Sequence, residues 1–294
     1  MYWQTSRFQI DLSRPKVMGI VNVTPDSFSD GGQYASRDAA IAHCDQLLKD
    51  GADLLDIGGE SSRPGAPVVH VDEELARVLP VLRHAVTLGV PVSLDTYKPA
   101  VMQAALDLGV DIINDIWALR WQGDVDGKTG TQVVSMHPSC GICLMHMHRE
   151  PQTMQVNPMD GDVLAQVKAF LSALAVQIEG LGVDSKRISI DPGIGFGKTV
   201  QQNFALLARQ SEFLPLGFPI LAGWSRKSSL AAVTQTSLAA VASMDAQERM
   251  VPSVVAALLA VQNGASIVRV HDVKQTVQAL KVFTAMQLAD WQMG

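Results

Sequence analysis

The sequence predicts a single-domain α/β fold, a closed (β/α)8 TIM barrel, on three observations. Eight short apolar segments alternate with longer amphipathic segments along almost the whole chain. Each apolar segment is nearly continuous, which is typical of strands that are buried on both faces of a parallel sheet. Several amphipathic segments are followed by glycine, the residue that favours the left-handed conformation at the end of a helix.

The predicted strands are separated by connections long enough for right-handed crossovers between parallel neighbours. In chain order, these strands are residues 16–23, 54–59, 91–96, 112–116, 142–147, 188–193, 219–224 and 267–271. The predicted helices between them are residues 36–50, 72–88, 98–108, 160–181, 199–211 and 273–290. Glycine follows four of these helices, at Gly51, Gly89, Gly109 and Gly182. An open, doubly wound sheet is the alternative, but such sheets usually have about five to six strands, so the larger number favours closure.

Two stretches interrupt this alternation. Residues 117–141 are rich in glycine at first and then weakly helical, and residues 225–264 are predicted to hold two helices divided near Pro252. The chain has no internal repeat, no low-complexity tract and no linker. We therefore predict one domain over residues 1–294, with its barrel core at about residues 16–283.

Composition and charge limit the classes of function. The 294 residues are 47% hydrophobic and 18% charged, which is enough apolar side chain for a large core. The net charge of −6 and the absence of a lysine- or arginine-rich run argue against nucleic acid as a partner. The N-terminus lacks the pattern of a signal peptide, and no apolar stretch reaches the roughly 18 residues that span a bilayer. Three cysteines suit a reducing compartment, so we expect a cytoplasmic protein without a membrane partner.

Polar side chains end every one of the predicted strands. In a (β/α)8 barrel the C-terminal ends of the strands meet at one rim, where active sites form. A polar residue at the C-terminal end of each strand therefore predicts one shared pocket. These residues are Asn22, Glu60, Asp95, Asn114 with Asp115, His146, Asp191, Ser225 after Trp224, and Arg269 with His271.

Three of these residues, Asp95, Asn114 and Asp191, predict a site for a flat, nitrogen-rich heterocycle. Carboxylates accept hydrogen bonds and the asparagine amide both donates and accepts, so together they match the edge of such a ring. A single carboxylate at a strand end is often structural, but polar residues at every strand end favour a shared pocket.

The sequence also supplies cationic donors suited to phosphate oxygens, at Arg63, Arg269 and His271. In "RVH" the arginine and the histidine point to the same side of the strand, because side chains alternate. A histidine satisfied in the core is the alternative for His271, but its pairing with a same-facing arginine favours a phosphate site.

The segment "GWSRKSSL" (223–230) predicts the start of a helix that contacts a ligand. We predict Ser225 as the N-cap, which would place Lys227 and Ser228 in the first turn, where backbone N–H groups attract anions. A lysine there opposes the helix dipole, which favours a ligand contact over a stabilising role. A solvated surface lysine is the alternative.

The motif "FGKT" (196–199) resembles the end of a phosphate loop but does not complete one. A phosphate loop needs a glycine five residues before Gly197, and the chain has Pro192 there. A dinucleotide-binding pattern that begins at Gly193 also fails, because its last glycine falls on Lys198. Both functions are rejected.

Residues 137–148, "HPSCGICLMHMH", space histidine and cysteine somewhat like a zinc site. However, Cys143 and His146 lie on one predicted strand and would face opposite ways, because side chains alternate. This geometry disfavours structural zinc and redox activity.

Eight segments, taken together and in order, closely resemble the dihydropteroate synthase family of pterin-binding enzymes. The segments are "GIVNVTPDSFSDGG", "DIGGESSRPGA", "SLDTYKP", "IINDI", "LMHM" with "PQTMQ", "IDPGIGFGKT", "SRKS" and "RVHDV". The resemblance implies a (β/α)8 barrel that joins 6-hydroxymethyl-7,8-dihydropterin diphosphate to p-aminobenzoate and releases pyrophosphate. It also implies Mg2+ as the cofactor and a homodimer as the assembly.

The same resemblance implies a role for each site residue. It assigns the pterin to Asp95, Asn114, Asp191 and Lys227, of which Asp95, Asp191 and Lys227 are implied to be catalytic. It assigns the diphosphate to Asn22, Ser62, Arg63, Arg269 and His271. It assigns p-aminobenzoate to Pro64, Phe196 and Ser228. The implied Mg2+ ligand is again Asn22.

The segment "VNVTPDSFSDGG" (21–32) is rich in oxygen ligands and has few apolar anchors. Given the resemblance, we expect a mobile lid that closes over diphosphate and Mg2+, with Asn22 as its fixed amide. With pyrophosphate neutralised, we expect it to leave before the amine attacks. The sequence has no Ser-His-Asp or Cys-His signature that would indicate a covalent enzyme intermediate.

Two rival functions share parts of this pattern. A pterin-dependent methyltransferase would share the barrel and the acids but should lack "SRKS", "RVH" and the 21–32 segment. A non-catalytic pterin-binding paralogue should lose diphosphate ligands, which are all present. The chain departs from the family at Ser62, where threonine is usual, so the hydroxyl is kept and the stiffening methyl is lost. It also has "HREP" after "LMHM", where a small, glycine-containing turn is common.

Overall fold

The computed structural model describes residues 1–24, 32–63, 65–122, 127–235, 245 and 247–291. Two parts of the predicted site, residues 25–31 of the expected lid and Pro64, lie outside these residues.

The chain folds into eight parallel strands that form a nearly closed barrel, preceded by a short hairpin. The hairpin consists of β1 (Tyr2–Gln4) and β2 (Gln9–Asp11). The barrel strands are β3 (Lys16–Asn22), β4 (Leu54–Gly58), β5 (Val92–Asp95), β6 (Ile112–Asp115), β7 (Gly141–Met145), β8 (Ile188–Asp191), β9 (Leu221–Ala222) and β10 (Ile267–Val270). They pair in the order β8-β7-β6-β5-β4-β3-β10-β9, and a bridge between Ile190 and Ile220 joins the two ends. The predicted (β/α)8 barrel is confirmed, and the open sheet is excluded.

Helices cover the outside of this barrel. They are α1 (Gly32–Lys49), α2 (Val71–Ala85), α3 (Pro99–Asp107), α4 (Gly130–Met136), α5 (Val163–Glu179), α6 (Val200–Ala208), α7 (Ser228–Thr234), α8 (Met250–Gln262) and α9 (Val273–Trp291). Each predicted helix is present, with its ends shifted by a few residues. The four glycines predicted to follow helices all have positive φ, between 74° and 101°. None of the described helices is both long enough and apolar enough to pass through a bilayer.

The two irregular stretches contain the remaining helices. α4 forms within residues 117–141, and α7 and α8 form within residues 225–264. Pro252 lies in the first turn of α8, where its missing N–H breaks no hydrogen bond of the helix. α8 begins two residues before the predicted division at this proline, and residues 236–244 and 246, between α7 and α8, lie outside the described residues.

Side chains alternate along each barrel strand between two environments. Outward-facing residues such as Val21, Ile57 and Leu94 are completely buried and belong to the main core under the helices. Inward-facing residues fill the barrel itself. Because both faces are covered, the strands form nearly continuous apolar runs in the sequence.

The β1–β2 hairpin closes the N-terminal end of the barrel. The apolar cluster that its side chains form with the inward-facing residues there is named the N-terminal plug. Trp3 is completely buried and packs with Ile10 against six inward-facing residues: Met18, Leu54, Ile112, Cys143, Leu221 and Ile267. Its indole Nε1 donates to the backbone oxygen of Arg187 at 2.9 Å. No strand or helix is predicted before residue 16, so the plug is an addition to the predicted fold. The opposite, C-terminal end of the barrel holds the candidate site.

Candidate active site

A charged cluster lies inside the C-terminal end of the barrel. Arg269, on β10, donates from Nε to Asp56 Oδ2 at 2.5 Å and from Nη2 to Asp95 Oδ2 at 2.6 Å. Asn114, on β6, donates from Nδ2 to the same Asp56 oxygen at 3.3 Å. Side chains from β4, β5, β6 and β10 therefore meet around one guanidinium, as the prediction of a shared pocket requires.

Asp56 is a site residue that the sequence analysis does not predict. It lies within β4 and is completely buried, and its Oδ1 accepts no hydrogen bond from the described residues. A buried carboxylate oxygen without a donor is costly, so the cluster leaves one strong acceptor unsatisfied. The signal that could identify it is an acid in the middle of an apolar strand, on the same side of the strand as Gly58.

Burial changes the proton affinity of the two predicted catalytic carboxylates. Burial raises the pKa of Asp95 to about 7, although the Arg269 guanidinium acts in the opposite direction. Burial also raises the pKa of Asp191, whose Oδ1 accepts a hydrogen bond from the backbone nitrogen of Gly193 at 2.7 Å. The ion pair with Arg269 opposes the effect of burial on Asp95 and favours its carboxylate form.

Lys227 and Phe196 form a wall of the site. Lys227 Nζ lies 4.3 Å from the centroid of the Phe196 ring, within the range of a cation–π contact. Burial lowers the pKa of Lys227 to about 8, and the neighbouring Asp191 carboxylate opposes this change. Phe196 itself belongs to an apolar cluster with Ile116, Met145, Met147 and Met154. An apolar wall beside fixed polar groups is the usual arrangement of a site for a planar ligand.

The predicted N-cap at Ser225 is wrong. α7 begins at Ser228, and Lys227 occupies the N-cap position without a capping bond from its side chain. Ser225 Oγ instead accepts a hydrogen bond from the backbone nitrogen of His271 at 3.0 Å and lies 2.9 Å from His271 Nδ1. The tertiary contact with the end of β10 therefore outweighs the local capping preference of serine. Ser228 is exposed at the start of α7.

His271 and Asn22 lie together where β10 and β3 end. Asn22 Nδ2 is 3.5 Å from His271 Nε2. Burial lowers the pKa of His271 to about 3, and the charges of Arg226 and Arg269 act in the same direction. The imidazole is therefore neutral at pH 7, whereas the sequence analysis expects a cation. As a neutral ring it can still donate one hydrogen bond to a phosphate oxygen.

Ser62 and Arg63 lie on the loop that follows β4, at the rim of the site. Ser62 is partly exposed and Arg63 is exposed, and both line a cavity of about 270 Å3 that reaches Asp95. Further lining residues include Glu60, Tyr97, Trp117 and Trp121. Arg63 is near enough to His271 for its charge to lower the pKa of that histidine.

Three of the polar residues predicted at strand ends serve the fold. Asp115 points to the outer side of β6 and accepts two backbone N–H bonds from the following turn, each at 2.7 Å. Glu60 lines the rim cavity but is held in an ion pair with Lys98. The ring of His146 packs edge-on against α5. The expectation that all strand ends converge on the ligand is therefore correct only in part.

The cysteine- and histidine-rich segment is divided between two sides of β7. Cys143 faces the N-terminal plug, whereas His146 faces α5, so the two point in opposite directions as strand alternation predicts. In the part of the chain that the structure describes, no three His, Cys, Asp or Glu side chains are grouped as a metal site requires.

Comparisons with known proteins agree with this geometry. Residues 18–271 match the family described as pterin binding enzymes. A dihydropteroate synthase of Neisseria meningitidis serogroup B is 49% identical over 289 residues, which cover 97% of each chain. The crystal structure of Burkholderia cenocepacia dihydropteroate synthase complexed with 7,8-dihydropteroate is 47% identical with a TM-score of 0.85, covering 99% of this chain and 98% of that one. Xanthomonas albilineans dihydropteroate synthase with 4-aminobenzoic acid is 44% identical with a TM-score of 0.87, covering 98% of this chain and 99% of that one.

The family match over residues 18–271 shows that the chain belongs to the pterin-binding enzymes, and its (β/α)8 barrel holds buried acids, an arginine and a lysine at the C-terminal end. The relatives that it matches over nearly their whole length are dihydropteroate synthases. The resemblance found in the sequence motifs is confirmed.

Proposed function

We infer that this chain is a transferase that catalyses the dihydropteroate synthase reaction of folate biosynthesis. It joins 6-hydroxymethyl-7,8-dihydropterin diphosphate to p-aminobenzoate and forms 7,8-dihydropteroate and pyrophosphate. The observation that carries this inference is the Arg269 guanidinium between Asp56 and Asp95, inside a barrel that belongs to the family.

The inward-facing acids suit the pterin ring. A pterin presents amino and ring N–H donors along one edge, and Asp56, Asp95 and Asp191 supply carboxylate acceptors. Asn114 can both donate to the ring and accept from it. The orphaned Oδ1 of Asp56 supports this assignment, because a ring donor would satisfy it.

The chemistry follows a dissociative route. The C–O bond between the pterin methylene group and the diphosphate breaks, and its electron pair leaves with pyrophosphate. The dihydropterin delocalises the positive charge, and the carboxylates of Asp95 and Asp191 stabilise it. The amine nitrogen of p-aminobenzoate then forms the new C–N bond and releases one proton.

We assign the diphosphate to the group at the ends of β3 and β10 and to the rim loop. Arg63 and Arg269 supply positive charge, Asn22 and Ser62 supply neutral polar groups, and His271 donates as a neutral imidazole. These residues also fit Mg2+, because this ion takes few protein oxygens and is held mainly by phosphate oxygens and water. Asn22 would be its protein ligand. When bound, Mg2+ neutralises pyrophosphate and so favours its departure.

We assign p-aminobenzoate to the wall formed by Phe196, with Ser228 near its carboxylate. The ring of Phe196 is buried and in contact with Lys227, so it offers a fixed surface for a second aromatic ring. Pro64, the other implied contact, lies outside the described residues.

An assay that supplies both substrates with Mg2+ and follows pyrophosphate tests the reaction. We expect pyrophosphate and 7,8-dihydropteroate in equal amounts, and a loss in kcat/KM of about 100-fold for Asp191→Asn, because one charge-stabilising group is removed. Asp160→Asn, at an exposed position, is the matched control. Pterin binding without turnover would indicate a non-catalytic paralogue, and methyl transfer would indicate a pterin-dependent methyltransferase.

A single-turnover experiment without p-aminobenzoate tests the dissociative route. We expect the enzyme to release pyrophosphate from the pterin diphosphate, since departure precedes amine attack. Pyrophosphate that appears only when the amine is added would contradict this order of steps.

We also infer that the chain forms a homodimer. α8 exposes Val251, Val255 and Leu259 at intervals of four residues, which places them in one apolar stripe. A second copy of the chain can cover such a stripe symmetrically. Gel filtration with light scattering should give twice the mass of the chain, and Val255→Arg should give the single mass. A monomeric unsubstituted protein would contradict the proposal.

The cysteines support a reducing, cytoplasmic compartment, which we propose as the location. Cys44, Cys140 and Cys143 are all free and buried. Burial raises the pKa of Cys44 to about 12, which keeps the thiol protonated and unreactive.

A further inference from the structure

The segment after β8, residues 193–197, is here named the glycine turn, and it packs closely against the end of β7. Gly193, Gly195 and Gly197 adopt positive φ, at 70°, 82° and 72°. A Cβ atom on Gly193 would lie 1.8 Å from the backbone oxygen of His146, so no side chain fits there. The backbone of the turn thus approaches β7 as closely as glycine permits.

Lys198, directly after the glycine turn, places its ammonium group among neutral acceptors. The residue is 2% exposed, and Nζ donates to the backbone oxygens of Gly193 at 2.8 Å and Phe196 at 3.1 Å. Nζ also lies 3.0 Å from His146 Nδ1. That ring is neutral, because burial and the neighbouring ammonium lower the pKa of His146 to about 2.

Burying an ammonium group among neutral partners carries a desolvation penalty that destabilises the folded state. Burial lowers the pKa of Lys198 to about 7, although the Asp191 carboxylate acts in the opposite direction. An apolar side chain of similar length would fill the space without this desolvation penalty. It could not, however, hold the carbonyl groups of the turn together.

The glycine turn carries contacts that belong to the candidate active site. Its first N–H group, on Gly193, donates to Asp191 Oδ1 at 2.7 Å. The ring of Phe196 lies 4.3 Å from Lys227 Nζ. A displacement of the turn would therefore move a catalytic carboxylate and the aromatic wall at the same time.

We propose that Lys198 is a positioning residue for the proposed reaction. Its ammonium group draws the carbonyl groups of the glycine turn together and so orients Asp191 towards the pterin and Phe196 towards p-aminobenzoate. The proposal rests on the proposed function and assigns no substrate contact to Lys198 itself.

The pH dependence gives a readout that a purely structural role would not change. The titratable groups that face Lys198 are Asp191 on β8, Lys227 before α7, and His146 and His148 after β7. As the pH rises above about 7 the ammonium charge is lost, so the KM for p-aminobenzoate should rise in the unsubstituted enzyme. In Lys198→Met this part of the pH dependence should be absent, and identical profiles would count against the proposal.

Kinetics of Lys198→Met, Lys198→Ala and Lys186→Met test the role directly. Lys186 is exposed in a single turn of 3-10 helix (Ser185–Arg187) that precedes β8, and it serves as the control. We expect both Lys198 variants to lose about 10- to 100-fold in kcat/KM, mainly through a higher KM for p-aminobenzoate, because small misplacements of binding groups have effects of this size. Lys186→Met should match the unsubstituted enzyme.

Chemical rescue separates the ammonium group from the volume of the side chain. Propylammonium matches the part removed in Lys198→Ala and should restore activity, whereas propanol, which is uncharged, should not. Equal rescue by both, or an unchanged kcat/KM in Lys198→Met, would overturn the proposal. Thermal melting accompanies each variant, and failure of both Lys198 variants to fold would make Lys198 a stability residue instead. If Lys186→Met and the unsubstituted chain fail to turn over substrate, the proposed function fails independently of Lys198.

Discussion

Asp56 completes the charged cluster around Arg269, and its position explains why residue-level prediction misses it. Asp95 and Asp191 end their strands, so their exposure to a shared rim follows from the barrel alone. Asp56 lies within an apolar strand, and its partner Arg269 is 213 residues away in sequence. Only the fold shows that this carboxylate has a guanidinium to pair with, and that one of its oxygens is left without a donor.

Replacing Asp56 by asparagine should weaken catalysis and change the titration of Asp95. The negative charge of Asp56 raises the pKa of Asp95, so Asp56→Asn should lower that pKa and move the acid limb of the kcat/KM profile to lower pH. We also expect a loss of about 10- to 100-fold in kcat/KM, since one hydrogen bond to a charged group is weakened. Steady-state kinetics across pH make the measurement, with Asp107→Asn at the exposed end of α3 as control. An unmoved acid limb would contradict the coupling.

The errors at Ser225 and His271 have one physical cause. Serine before a helix favours capping, and histidine near phosphate ligands favours a cation, when each is considered locally. In the fold the two side chains bond to each other, and burial keeps the ring neutral. Local preferences of a few tenths to one or two kcal/mol are easily outweighed by such tertiary contacts.

Among the elements, the β1–β2 hairpin is the one that sequence pattern does not reveal. Its strands are three residues long each, too short for an alternation of apolar and polar residues to be distinguished from chance. The barrel strands are predictable because burial on both faces makes them continuously apolar. The role of the hairpin follows only from the open barrel end that it covers.

Trp3→Ala should strongly destabilise the fold while leaving the catalytic site in place. Trp3 is completely buried and its indole donates to a backbone oxygen, so the free energy of unfolding should fall by about 3 to 5 kcal/mol. Tyr2→Ala, at a residue that is 53% exposed, should change it by less than about 0.5 kcal/mol. Urea denaturation makes the comparison. Similar values for the two variants would show that the plug contributes little.

The starts of two helices, one of them in an irregular stretch, are encoded in short sequence motifs. Thr129 with Gln132, and Thr199 with Gln202, each form a reciprocal capping box at the start of α4 and α6. The Thr-x-x-Gln pattern is present in the sequence and could have placed the start of α4 within the glycine-rich stretch. α7 has no side-chain cap, so Ser225 in "GWSRKSSL" predicts its N-cap two residues too early.

On the scale of the whole molecule, the barrel has two chemically different ends. The N-terminal end is closed by apolar packing, and the C-terminal end holds the buried charges. The alternation of strands and helices predicts both the fold and the end at which the site lies. It does not predict the exact closure, because β9 has two residues and follows a proline that cannot donate to its neighbours.

The buried neutral histidines should make stability depend on pH. The pKa of His146 is lowered to about 2, so in mildly acidic solution the unfolded chain binds a proton that the folded chain does not. Stability from this group is present above about pH 6.5 and should be lower by about 2 kcal/mol at about pH 5. Urea denaturation of the unsubstituted chain and of His146→Gln at both pH values isolates the contribution of His146. The comparison is needed because the raised pKa of Asp95 makes the folded state more stable as the pH falls, which opposes the effect of His146. An equal pH dependence in the variant would contradict the prediction.

The bridge between Ile190 and Ile220 has a dynamic consequence for the two strands that it joins. Every other pair of neighbouring barrel strands is paired at two or more positions, whereas β8 and β9 are joined by this one bridge. Transient opening should therefore occur first between β8 and β9. The amide of Ile190, bonded to the oxygen of Pro219 at 2.9 Å, should exchange with deuterium sooner than the amides of the other barrel strands. Since β8 ends at Asp191 and β9 leads to Lys227, this opening would widen the gap between the two groups while the rest of the barrel stays paired.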